Sequence, residues 1–295
     1  MHNLLILGGS GLIGSVLARD ASKRYRVTAT YNSQEPPEIA GVSWLACRLP
    51  DDFERLEEFV HRSSADTVID CVALSNVDTC ERERNRADLL NVELPKRLAV
   101  ICDKTGTRLV YLSTEYVFDG LRGNYTETDT PKPINYYGMT KLLGEQATLD
   151  FRRNLVVRTS LVYGWHKRCR FLNFVVDNLR ATRAMGLYSD QMTCPTLLGD
   201  LTSGIVHALE KNASGIYHMT GPECVSRYEF GRSIASHMRL DVSLLSELRA
   251  THANTLAKRP ANSCLSNKKA CSVLGLTFAD IDTGLTGVTK DSSKP

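Results

Sequence analysis

Residues 4–17 read LLILGGSGLIGSVL, and the fold turns on them. Four apolar residues, 4–7, make a short strand. Gly8, Gly11 and Gly14 follow at three-residue spacing, and counting Gly9 the run also fits G-x-G-x-x-G. Residues 12–22 then carry apolar side chains at helical intervals. Glycines at such a turn let the backbone bend tightly and approach a pyrophosphate. The helix start behind them offers unbonded N–H groups and the positive end of the helix dipole. Gly8, Ser10, Gly11, Leu12, Ile13 and Gly14 are therefore candidate cofactor-binding residues. The placement, directly after a strand and directly before an amphipathic helix, lifts the motif above a chance spacing.

Working outward, the first half of the chain alternates two periods. Residues 26–31, 42–46, 67–72, 107–113 and 155–158 read as strands. Residues 52–61, 86–104 and 138–151 read as helices. Strand alternating with helix means an α/β protein with a parallel sheet covered on both faces. Beyond Gly164 the alternation loosens: 171–184, 199–211 and 227–238 read as helices and 215–219 as a strand. Ser226 and Glu229 form a capping-box pattern at the start of the third of these helices. The expected division is a cofactor-binding domain over 1–165, with part of 192–220 returning to it. A mostly substrate-binding lobe occupies 166–290, and 286–295 is a frayed tail.

Composition narrows the function classes. The chain has 295 residues, 42% hydrophobic and 23% charged, with a net charge of +3. That charge is too small to argue for nucleic acid or a membrane surface, and the basic run His166–Arg170 is short. No apolar stretch approaches the roughly 20 residues that span a bilayer. The opening MHNLLILGGS does not read as a secretory leader. The nine cysteines include no C-x-x-C pair, and several sit in apolar runs such as VIDCVAL. They are expected to be reduced thiols packed as small hydrophobes, in a cytoplasmic protein. The seven histidines are scattered without ligand spacing, so no metal site is expected.

The second strand ends Thr30-Tyr31-Asn32-Ser33, with no carboxylate to hold ribose hydroxyls. A carboxylate there would repel a 2′-phosphate, so NADP(H) is favoured over NAD(H). Asn32 and Ser33 are the candidate donors to that phosphate, with Arg19 and Lys23 as nearby cations.

Further on, residues 135–141 read NYYGMTK. On a helix that opens at Tyr137, Tyr137 and Lys141 are four residues apart and share a face, while Tyr136 is rotated away. A free phenol titrates near 10, and a neighbouring ammonium lowers that value. A phenol so tuned can give its proton to a carbonyl oxygen as hydride arrives. Ser113 and Thr114 end a strand just upstream, in YLSTEYVFDG.

With these residues in view, the chain resembles an extended short-chain dehydrogenase/reductase, and within that superfamily the dTDP-4-dehydrorhamnose reductase family. The similarity runs from Gly8 to about residue 285. It includes VIDCVALSNVDTCE, LLNVELP, STEYVFDG, RTSLVYG, SDQMTCPT and KRPANSCLS. The resemblance implies a Rossmann-type doubly wound parallel sheet with a smaller C-terminal α/β substrate lobe. It implies NADPH-dependent reduction of a nucleotide-linked 4-keto-6-deoxy sugar. In that scheme Tyr137 is the proton donor, Lys141 lowers its pKa and holds the nicotinamide ribose, and Thr114 bonds the carbonyl. Ala73, Ser75 and Asn91 fall on the cofactor edge. Ser75, Thr114, Glu115, Leu161, Gln191 and Arg259 fall on the substrate side. Arg259 suits a phosphate through its forked guanidinium. A homodimer is an allowed assembly.

The sequence departs from the family in places. Glu115 stands where aspartate is usual, Leu161 where tryptophan is usual, and Leu74 where tyrosine is common. Two other readings compete. One is a non-catalytic, NADP-binding regulatory subunit resembling the methionine adenosyltransferase beta subunit. The other is a sugar-nucleotide epimerase or dehydratase. Dehydratases place a second carboxylate where this chain has Tyr116, which ranks that reading last.

Overall fold

A computed structural model of the chain describes residues 2–33, 36–249 and 255–292. Its centre is a seven-stranded sheet, parallel throughout. Strands β1 (Asn3–Leu7), β2 (Arg26–Tyr31), β3 (Val42–Ala46), β4 (Thr67–Asp70), β5 (Arg108–Thr114) and β6 (Leu155–Thr159) are joined by the strand Gly215–His218. Their spatial order is β3-β2-β1-β4-β5-β6 and then Gly215–His218. The chain therefore turns back between β1 and β4, and the carboxyl ends of these two strands open the crevice in which doubly wound sheets take ligands.

The inner strands are buried because helices cover both faces, while β3, at the edge, has no buried residue. On one face lie α1 (Leu12–Ala21), α8 (Leu198–Glu210) and α10 (Lys268–Leu274), whose Leu17, Leu201, Ile205 and Leu274 share a core with Leu4, Ile6, Val27 and Val157. On the other, α2 (Leu56–Ser63) and α5 (Leu94–Lys104) bury Phe59, Leu94 and Leu98 against Leu5, Leu7, Val68 and Leu109. Between α2 and α5 run the short α3 (Val77–Arg82) and α4 (Arg84–Asp88), followed by one π-helical turn, Leu89–Glu93. Helix α6 (Tyr136–Leu149) lies beside α5 and packs on β5.

The second lobe has its own core. Helices α7 (Arg170–Arg180), α9 (Arg227–His237) and α11 (Ile281–Ser292) gather Leu172, Val175, Phe230, Ile234 and Leu285 around Tyr163. Ser226 and Glu229 make the expected capping box at the start of α9.

Three expectations are corrected. The segment from 286, taken as a frayed tail, is helical to Ser292, and Leu285 and Val288 are buried in the lobe core. Its polar residues occupy the outer face, which concealed the apolar one. Residues 293–295 of that tail lie outside the described residues. The single helix expected over 86–104 is interrupted by the π turn. The nine cysteines are not all free: Cys224 and Cys264 form a disulfide, with Cα atoms 5.7 Å apart. The other seven are unbridged, as expected.

Candidate active site

The glycine turn is built for a bound anion. Gly8 takes φ +72°, open to glycine at little cost. Its N–H donates to the Thr30 hydroxyl at 3.0 Å, and the Gly11 N–H closes the turn on the Gly8 carbonyl at 2.9 Å. A Cβ on Gly14 would collide with the Gly8 carbonyl, so helix and strand approach only because the side chain is missing. Helix α1 has no side-chain cap and no acidic residue in its first turn. The N–H groups of Leu12, Ile13 and Gly14 therefore remain available to a ligand. This cradle fits a dinucleotide pyrophosphate. Asn32 and Ser33 are exposed just past the end of β2. Arg19 and Lys23 both turn to Asp20, at 3.2 and 3.4 Å.

The reacting side chains meet at the carboxyl end of β5. Thr114 ends that strand, buried, and its hydroxyl donates to Glu115 Oε2 at 2.9 Å. The Thr114 side chain lies close enough to the Tyr137 phenol to act on it. Tyr137 comes from the first turn of α6, whose start is fixed from three directions. Asn135 caps it, accepting from the Gly138 N–H at 2.8 Å. The Asn135 amide reaches the Lys258 carbonyl at 2.8 Å. Glu81 on α3 accepts the Tyr136 N–H at 2.9 Å. The helix thus opens at Tyr136, two residues before the expected span 138–151. Tyr136 does turn away, donating to Asp88 at 2.8 Å. Lys141, one turn beyond Tyr137, is 1% exposed. Its Nζ donates to the Leu112 carbonyl at 2.7 Å and lies 3.9 Å from the centroid of the Tyr111 ring.

The electrostatics differ from the expectation. Burial, with the Glu115 carboxylate adding to it, pushes the Tyr137 phenol above its ordinary value; the Thr114 side chain opposes this. The Lys141 ammonium is turned toward the Leu112 carbonyl and the Tyr111 ring, and burial depresses its own pKa. Glu115 is raised, chiefly by burial. Tyr137 is therefore a phenol that keeps its proton at neutral pH, as a donor must.

Other expected residues land differently. Asn91 is fully buried, and its amide is taken up by the Leu74 backbone and the Thr140 hydroxyl. It braces the segment carrying Ala73 and Ser75 and does not face a ligand. The π turn turns the Asn91 carbonyl toward the Tyr111 hydroxyl, 3.0 Å away, and so seats Tyr111 under Lys141. Ala73 is partly exposed and Ser75 exposed, beyond the end of β4. Arg259, expected to meet a phosphate, forks onto Asp78 at 2.7 Å and onto the Ala257 carbonyl at 3.1 Å. Gln191 is buried in the lobe. Leu161 takes φ +26°, a strained angle for a side chain branched at Cγ, and packs toward Tyr163.

The comparisons follow this geometry. The RmlD substrate-binding-domain family matches residues 1–293. The chain belongs to the dTDP-4-dehydrorhamnose reductase family. A dTDP-4-dehydrorhamnose reductase of Aggregatibacter actinomycetemcomitans is 31% identical over 98% of both chains. A hypothetical dTDP-4-dehydrorhamnose reductase from Sulfolobus tokodaii superposes with a TM-score of 0.84 at 34% identity, covering 96% of this chain and 98% of the other. The dTDP-4-dehydrorhamnose reductase of Bacillus anthracis, solved with NADP, gives 0.85 at 26% identity over 99% and 100%. Within this family of reductases the non-catalytic reading is not favoured.

One residue escaped the sequence reading: Asp70, the last residue of β4, is 1% exposed and pairs in register with Tyr111. A carboxylate inside the apolar run VIDCVAL was the signal for it.

Proposed function

We propose that this chain is an NADPH-dependent reductase of a nucleotide-linked 4-keto-6-deoxy sugar, with dTDP-4-dehydrorhamnose as the substrate to test first. The observation that carries the reading is the gathering of Thr114 and Tyr137, with Lys141 one turn along α6, at the carboxyl end of β5. The nicotinamide cofactor, when bound, supplies the hydride.

The chain's own residues do the rest. The turn Gly8–Gly14 and the first N–H groups of α1 hold the pyrophosphate. Tyr137, kept protonated by burial, gives its proton to the carbonyl oxygen of the sugar. The Thr114 hydroxyl bonds the same oxygen and keeps the phenol oriented. Lys141 supplies a positive charge beneath the phenol, stabilising the phenolate left after transfer. Glu115 accepts the Thr114 hydroxyl at 2.9 Å and so fixes the direction in which that hydroxyl points. Ser75, Leu161 and Gln191 are the proposed sugar-side residues. Arg259, paired to Asp78, closes the loop over α3.

NADPH is favoured over NADH because the end of β2, Thr30-Tyr31-Asn32-Ser33, holds no carboxylate and Asn32 and Ser33 stand exposed there. Steady-state reduction of dTDP-4-dehydrorhamnose with each cofactor tests this. The expected result is a kcat/KM at least about tenfold higher with NADPH, about 1.4 kcal/mol. Equal use of the two cofactors would overturn the preference. No reduction with either would overturn the substrate.

A further inference from the structure

Lys141 is an ammonium inside the protein, and a buried charge needs a counter-charge. Glu145 lies one turn along the same helix, but it is engaged elsewhere. Arg158 Nε and Nη2 bond its two oxygens at 2.9 and 2.6 Å, and the Ser113 hydroxyl bonds it as well. The other titratable groups that face Lys141 are neutral. Cys71, after β4, and Cys80, on α3, are pushed up by burial, and so is the Tyr111 phenol on β5.

That leaves Asp70. Its Oδ1 accepts the Val72 N–H at 2.9 Å. Its Oδ2 is buried without a hydrogen-bond partner among the described residues. The β4–β5 register sets Asp70 beside Tyr111, the ring over which Lys141 Nζ lies. A carboxylate oxygen left bare in the core is costly unless a charge compensates it.

We propose that Asp70 is a positioning residue of the active site: its bare carboxylate oxygen, on the strand beside Tyr111, is the counter-charge that keeps Lys141 protonated beneath Tyr137. Burial pushes Asp70 up to about 7 and Lys141 down to about 8, and each charge opposes the other's shift. The catalytic consequence rests on the reductase reading; the coupling of the two charges does not.

The test has two arms. The first is a stability cycle on the chain without cofactor. Lys141→Met strands the Asp70 carboxylate and lowers Tm, and adding Asp70→Asn recovers most of the loss. If the double variant is no more stable than Lys141→Met, or neither folds, the pair is not coupled. Asp70→Asn keeps the oxygen that bonds Val72, so the backbone there is undisturbed. The second arm is NADPH affinity against pH. The alkaline loss of affinity in wild type moves down by on the order of one pH unit in Asp70→Asn. An unmoved midpoint contradicts the proposal. A wild type that binds no NADPH at any pH would count against the reductase reading, and the stability cycle would still decide the pair.

Discussion

His218 shows at the scale of one residue how the polar core is wired. It is fully buried on the strand Gly215–His218. Its Nδ1 donates to the Tyr125 carbonyl at 3.2 Å, which leaves Nε2 to accept from Arg158 Nη1 at 3.3 Å. A proton on Nε2 would face the guanidinium. Burial first, and Arg158 second, lower its pKa from 6.5 to about 3. The unfolded chain therefore binds a proton that the folded chain refuses across that interval, and stability falls as pH drops through it. Urea unfolding of wild type and His218→Gln between pH 7 and about 4 should show the steeper loss in wild type. Parallel curves would mean that His218 carries no such burden. Spacing was enough to put Tyr137 and Lys141 on one helix face, and the structure has them one turn apart on α6. It was not enough where the partner is distant in the chain. Arg259 reads as a free fork until α3 brings Asp78 against it. Asn91 reads as a cofactor contact until Leu74 and Thr140 take its amide.

At the scale of elements, the two that make the site are the glycine turn and α6. Both were placed by the sequence to within two residues, because each carries its own punctuation: three spaced glycines, and an asparagine before a helix. The π turn Leu89–Glu93 was not legible. Its apolar residues continue the helical stripe, and only the packing against Tyr111 reveals the extra residue. The close approach of α1 to β1 gives the sharpest prediction at this scale. Gly14→Ala would put a Cβ into the Gly8 carbonyl and push the helix away from the turn. NADPH affinity should fall at least about tenfold, about 1.4 kcal/mol. Titration of the folded variant measures it, and an unchanged Kd would show that the turn does not hold the cofactor.

For the whole molecule, the parallel sheet followed from alternating periods, whereas the arrangement of the lobe did not. Its short strands pair residues far apart: Met192–Thr193 with Val225–Ser226, and Met185–Tyr188 with Leu245–Leu248. The disulfide was illegible for the same reason. Cys224 and Cys264 are 40 residues apart, and nothing in their spacing pairs them. The bridge ties the strand Val225–Ser226 to the segment that leads back to Arg259. Closing a loop of that length stabilises the fold by about 4 kcal/mol in the chain-entropy account. Urea unfolding with and without dithiothreitol should separate the two midpoints accordingly. Coincident midpoints would show that the bridge constrains nothing that matters to folding.

The central claim is that Tyr137 is the proton donor of a reductase, and one comparison tests it most directly. NADPH oxidation in the presence of dTDP-4-dehydrorhamnose is followed for wild type and Tyr137→Phe, with NADPH affinity measured on both. The account predicts matched affinity and turnover at least about 100-fold lower in the variant, the usual weight of a positioned acid. A Tyr137→Phe protein that turns over within a few-fold of wild type would contradict it.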